Sequence, residues 1–188
     1  MTECKMLISK FNTKEDKIDV SKLEERINRK LPESYAKFLI KYNGGDTPNT
    51  NWNGKCKSDV RFFYGIGVEE NGNDILESLK YEIVQNLLEK SFLPIAENCS
   101  GDFFCINLVD SKIYFSYHDK NRITLIAESF EEFISKIKSK KIGHIRTIEE
   151  RRQLLLEKRG REPTAQQLKG WQDEIDEYSN INQEEVVL

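Results

Sequence analysis

Residues 31–45, Leu-Pro-Glu-Ser-Tyr-Ala-Lys-Phe-Leu-Ile-Lys-Tyr-Asn-Gly-Gly, constrain this chain most, because the start, the buried face and the stop of one helix are all written there. Pro32 suits a first helical turn, where no backbone N–H is needed. Tyr35, Phe38, Leu39 and Tyr42 then recur at i, i+3, i+4 and i+7 as a single apolar stripe. Asn43, Gly44 and Gly45 end it, since glycine takes the left-handed conformation that helix ends commonly need and frees the chain to turn. Taken alone, the stretch is a core helix.

The same signals divide the rest of the chain. Ser21 with Glu24 makes a capping box, and Leu23, Ile27 and Leu31 continue as a stripe, predicting a helix over about 21–30. Residues 44–57 are rich in Asn, Gly, Thr and Pro around an isolated Trp52 and read as a loop long enough to carry a function. Residues 60–64 are strand-like, and Gly65, Gly67 and the run Glu69-Glu70-Asn71-Gly72 break them before a helix over about 74–90 capped by Asn73, with Ile75, Leu79, Ile83 and Leu87 inward. Short strands follow at about 93–96, 103–108, 112–117 and 123–127, the middle two joined as a hairpin through Val109-Asp110-Ser111. Ser129 with Glu132 caps a closing helix to about Lys141. The pattern is α+β, a mostly antiparallel sheet with flanking helices.

Residues 144–188 differ in texture and read as a charged, helical C-terminal extension to a domain of residues 1–143. Thr147 with Glu150 and Thr164 with Gln167 are capping signatures, predicting two helices, about 148–159 and 165–178. Leu168, Trp171, Ile175 and Tyr178 line one face of the second. Three placements are open to that face: against the domain, against the helix of about 148–159, or in a partner's groove; burial within the chain is the expectation, because exposing a tryptophan invites aggregation.

Several function classes are excluded by composition. The chain has 29 basic and 32 acidic residues, and residues 144–188 hold 7 and 10 of these, so the first 143 are balanced. Neither part has the net basic character of a nucleic-acid binder. No apolar run approaches the ~20 residues that span a bilayer, and residues 1–11 lack the apolar centre of a secretory signal. A cytoplasmic protein is expected. Cys4, Cys56, Cys99 and Cys105 form no C-x-x-C pair and are expected as reduced thiols, Cys105 in the core.

No catalytic constellation stands out. Cys99 and His118 compose an imaginable nucleophile and base without any local signature around them. The carboxylate pairs are ordinary helix-start or solvated charges, Gly65-Ile66-Gly67 lacks the third glycine of a dinucleotide loop, and no P-loop or His-Glu-x-x-His occurs. The expectation is a protein that is not an enzyme, with no cofactor and no metal.

In order and spacing, Leu31-Pro32 through Gly45, Leu93-Pro94-Ile95-Ala96-Glu97, Gly101-Asp102-Phe103-Phe104, Ile113 through Asp119 and Glu128-Ser129-Phe130 through Ile134 resemble the SUKH superfamily over about residues 18–141. That resemblance implies the family's α+β fold and, for a bacterial member, an immunity protein that binds and neutralises a cognate polymorphic toxin, often a nuclease. The partner would be the toxin's effector domain, with no direct contact to nucleic acid or membrane. An acidic, aromatic surface would suit a nuclease, and Trp52, Tyr64, Glu69, Glu70, Glu97, Asp102 and Asp119 are the candidates, in loops or at strand ends. The alternative is a regulatory adaptor that recruits a cellular partner through the C-terminal helices.

Overall fold

Periodicity, caps and turns resolve into short elements in a computed structural model that describes residues 5–14, 17–69, 72–179 and 181–188. In chain order they are β1 (Leu7–Ile8), α1 (Ser21–Ile27), α2 (Glu33–Tyr42), β2 (Gly45–Asp46), β3 (Thr50–Trp52), β4 (Ser58–Asp59), β5 (Phe62–Phe63), α3 (Ile75–Ser78), α4 (Glu82–Glu89), β6 (Phe92–Glu97), β7 (Phe103–Asn107), β8 (Ile113–Ser116), β9 (Ile123–Ala127), α5 (Phe130–Lys136), β10 (Ile137–Ser139), α6 (Ile148–Arg159), α7 (Ala165–Ser179) and β11 (Glu184–Glu185). They form two compact units, one reaching Lys140 and rejoined by Gln183–Leu188, the other Lys141–Asn182.

The larger unit is α+β. A six-stranded sheet runs β2-β5-β6-β7-β8-β9, a three-stranded sheet runs β10-β3-β4, and β1 pairs with β11, every one of these pairings antiparallel. The stripe of α2 is buried as its spacing requires. Phe38 meets Phe63 of β5 at 5.2 Å between ring centroids and Phe130 of α5 at 5.3 Å. Phe133 of α5 meets Phe104 of β7 and Trp52 of β3, each at 5.3 Å. One aromatic core therefore ties α2 and α5 to both sheets.

Helix α2 ends as its sequence demands, with one refinement. Asn43 itself takes the left-handed conformation, and its side chain locks the turn by donating to the Ile66 carbonyl (2.9 Å) and accepting from the Ile66 N–H (2.8 Å). Gly44 follows at φ +73°, and a Cβ there would lie 2.5 Å from the Phe63 carbonyl oxygen, so close strand approach also demands glycine.

Four local expectations are corrected. Glu24 does not close a capping box. Its carboxylate reaches forward to the Leu31 N–H (3.0 Å) and Lys30 Nζ (2.6 Å), and Ser21 turns to Asp19. The helix expected over 74–90 is two: Asp74, not Asn73, caps α3 by accepting from the Leu76 and Glu77 N–H groups, and α4 restarts after an extended Tyr81. The restart shifts the helical phase, so Val84 is buried and Ile83 is exposed. Residues 44–57 are not one loop, since they supply β2 and β3. The closing helix stops at Lys136, and Ile137 and Ser139 continue as alternating inward residues of β10.

In the smaller unit, α6 begins with the Thr147–Glu150 capping box and ends on Gly160 at φ +60°. Thr164 and Gln167 exchange side-chain and backbone bonds, each 3.2 Å, at the start of α7. Arg151 grips both oxygens of Glu174 (2.7 and 3.0 Å), joining the helices. No described side chain of either helix is buried, and Leu168, Trp171, Ile175 and Tyr178 are half-buried.

The last residues return to the larger unit. β11 pairs with β1, Val186 is buried, and its N–H donates to the Met6 carbonyl at 2.9 Å. Lys5 and Lys10 hold Glu185 and Glu184, both at 2.8 Å, and the Tyr42 hydroxyl accepts from the Val187 N–H at 2.8 Å.

Candidate partner-binding surface

An antiparallel meander brings alternate turns to the same end of a sheet, so the turns after β6 and after β8 lie side by side. Asn98 organises the first. Its Oδ1 accepts from the Ser100 (2.9 Å) and Asp102 (2.8 Å) N–H groups, and its Nδ2 donates to Asp102 Oδ2 at 3.0 Å. Asp102 then reaches the second turn, its Oδ1 accepting from the His118 backbone N–H at 3.0 Å and lying 2.8 Å from His118 Nδ1. Burial pushes the Asp102 carboxyl upward, but the bonds from His118 and Asn98 outweigh it and hold the group below the usual carboxylate range. Asp102 is thus a staple between turns rather than a free surface acid.

Asp119 is exposed beside this staple, with donor atoms of Asp102, His118 and Asp119 all within 4.8 Å of one another. Glu97, half-buried at the end of β6, accepts from the Tyr64 hydroxyl at 2.8 Å. Burial first, and then the Glu97 charge, push the Tyr64 phenol well above its ordinary value. An open groove of about 400 Å³ adjoins this end of the sheet, lined by Ile83 of α4, by Lys90 just after it, and by Tyr117, Asp119, Lys120 and Arg122. The Lys120 and Arg122 cations lie 5.5 and 5.4 Å from the Tyr117 ring centre.

The structure therefore gathers Tyr64, Glu97, Asp102 and Asp119 at one end of the sheet. It does not bring the rest there. Trp52, expected in an exposed loop, is the last residue of β3 and wholly buried, with Gly54 against its indole edge and Phe133 against its ring. Tyr64 and Asp102 are also almost wholly buried. Glu69 is exposed elsewhere, its N–H bonded to the Asn12 carbonyl at 3.1 Å, and Glu70 lies outside the described residues, as does Cys4.

Cys105 is buried in β7, as expected of a core thiol, and burial pushes it up. Cys99 is exposed, and its thiol is pushed up by the hydrogen bond to Asp59 and then by burial. An activated nucleophile needs the opposite shift, so the pairing of Cys99 with His118 has no electrostatic support.

The domain is α+β, with Asn98, Asp102 and His118 stapling neighbouring turns of its sheet. Residues 14–136 match the SMI1 / KNR4 family (SUKH-1), and the chain belongs to that family. Domains of this family are known as immunity-protein domains and are not generally enzymes. The chain is also similar to the SPbeta prophage-derived uncharacterized protein YokK of Bacillus subtilis (strain 168), with 28% identity over 151 residues that cover 66% of this chain and 73% of that protein. Among the described residues, no helix is long and apolar enough to cross a membrane.

Proposed function

We propose that this chain is a cytoplasmic immunity protein that binds the effector domain of a cognate polymorphic toxin and neutralises it by protein–protein contact. Membership of the SMI1 / KNR4 family through residues 14–136, most of the larger unit, carries this reading. An inhibitor of a lethal intracellular enzyme has to remain bound at very low toxin copy number, which calls for a Kd of about 1 nM or below, roughly −12 kcal/mol. Buried area alone does not deliver that affinity; anchors and charge complementarity do.

The test is co-expression of the chain with a toxin effector domain that kills its host when expressed alone, taken from the gene neighbourhood of this chain if one is found there. Survival with the chain and death without it, together with a stoichiometric complex on size-exclusion chromatography, is the expected result. Death in both cases, with no complex formed, rejects the reading.

The half-exposed apolar face of α7, with Trp171 and Ile175, favours a second reading, an adaptor working through its helical hairpin. Excising residues 141–182 separates the two, since an adaptor would lose its partner and an immunity protein acting through its domain would not.

A further inference from the structure

The three-stranded sheet carries a basic notch. Register places Lys138, Asn51 and Asp59 in one cross-strand row, while Trp52, Ile137, Thr50 and Ser139 face inward. Beside that row is a concavity of about 180 Å³ lined by Asn51, Asn53, Lys57, Ser58, Lys138 and Lys140 among others, with no acidic side chain in its wall. Trp52 also lines it, and its buried indole N–H has no hydrogen-bond partner among the described residues. Asp59, the nearest acid in the row, is turned to the Cys99 N–H at 2.8 Å. Lys57 and Lys140 have no ion pair among the described residues, and Lys138 donates only to the Ser135 carbonyl at 3.2 Å. Lysine without a countercharge and asparagine amides facing one concavity are complementary to a carboxylate.

We propose that this notch receives an aspartate or glutamate side chain of the toxin effector domain, so that the toxin face bound here is acidic. The inference rests on the immunity reading and reverses the charge expected of the interface from sequence. The notch is smaller than the ~300 Å³ at which small-molecule and cofactor pockets begin, which fits an inserted side chain. A protein partner is favoured over nucleic acid. The chain's net charge is −3, and Trp52, the aromatic beside the lysines, is buried and offers no stacking platform for bases. In such an interface the lysines steer encounter, and the carboxylate in the notch is an anchor.

The experiment compares wild type with the triple variants Lys57→Glu/Lys138→Glu/Lys140→Glu and Lys57→Gln/Lys138→Gln/Lys140→Gln, each checked for an unchanged melting transition. Association with a catalytically inactive form of the effector domain that the chain neutralises on co-expression is followed by stopped-flow at low salt and in 0.5 M NaCl. Charge reversal should slow association by roughly 10-fold or more at low salt, with a smaller loss in the Gln variant and a reduced difference at high salt. Equal association rates for wild type and the folded variants would overturn the inference while leaving the immunity reading intact. No association of wild type would remove both. Lysine-dependent binding of a 20-base-pair DNA duplex would also overturn it, since the notch would then serve phosphate.

Discussion

Phe133 and Trp171 are both aromatic residues on the apolar face of a helix, yet they hold up their surroundings in different ways. Phe133 is fully buried, with the rings of Trp52, Phe63, Phe104 and Phe130 within 6.4 Å. Trp171 is half-buried in a unit whose helices bury no described side chain. The larger unit is thus held by apolar burial that couples helix to sheet, and the hairpin by caps and guanidinium–carboxylate pairs. Extensive apolar burial is what makes a region unfold cooperatively, whereas caps and surface ion pairs stabilise mainly their own helix.

The sharpest break of this comparison is Phe133→Ala, which should cost the larger unit about 3–5 kcal/mol, read as a lowered urea midpoint by near-UV circular dichroism. Trp171→Ala should leave that midpoint where it is. Equal losses would mean that the two regions share one core.

Next in size is Gly44→Ala, where a methyl group meets the Phe63 carbonyl in a left-handed backbone conformation. A loss of about 1–3 kcal/mol is expected in the same assay, and a stabilised protein would contradict the close approach.

Asp102→Asn tests the staple, which should be worth about 1–3 kcal/mol at neutral pH. Because the folded-state carboxyl is held below its unfolded value, the ionised staple stabilises above the unfolded pKa of ~3.9 and is lost as pH falls through the folded value. The wild-type and Asn curves of stability against pH should therefore converge in acid. Parallel curves would mean that Asp102 is not the titrating group.

Smallest is Thr147→Ala in the hairpin, about 1 kcal/mol and confined to α6. Hydrogen exchange should quicken at the amides of residues 148–151 and remain unchanged in β7, whereas a change in β7 would show that the units unfold together.

The elements that could be read from sequence were those fixed by near neighbours. The stripe of α2, the Ser129 and Thr147 caps, and the hairpin after Asn107, whose Oδ1 accepts from the Val109 and Asp110 N–H groups, all depend on residues within a few positions. What escaped depends on distant partners. β3 and β10 are three residues each and gain strand character from each other, Ile137 opposite Trp52. β11 was submerged in a charged tail because its lysine and strand partners lie far away in sequence.

The candidate surface was half legible for the same reason. Glu97 and Asp119 were found as strand-end acids and do share one end of the sheet, but the burial of Trp52 could not be known without Phe133 above it. The basic notch did leave a signal. Lys136-Ile137-Lys138-Ser139-Lys140 alternates with period two, the mark of an exposed strand face, and it lay hidden at the end of an apparent helix.

The claim that the larger unit is what holds the partner can be tested by excising the hairpin. Leu7 lies opposite Glu185 and its N–H donates to Ser139 Oγ at 2.9 Å, so the strands that open and close the excursion both adjoin β1, and a short Gly/Ser linker should replace residues 141–182. The decisive measurement is the Kd of this shortened chain for the effector domain it neutralises on co-expression, by titration calorimetry against the full chain. A value of about 1 nM or below for both, equal within roughly threefold, is the predicted result. Loss of binding by a shortened chain that still melts cooperatively would contradict it and move the partner's site to the hairpin.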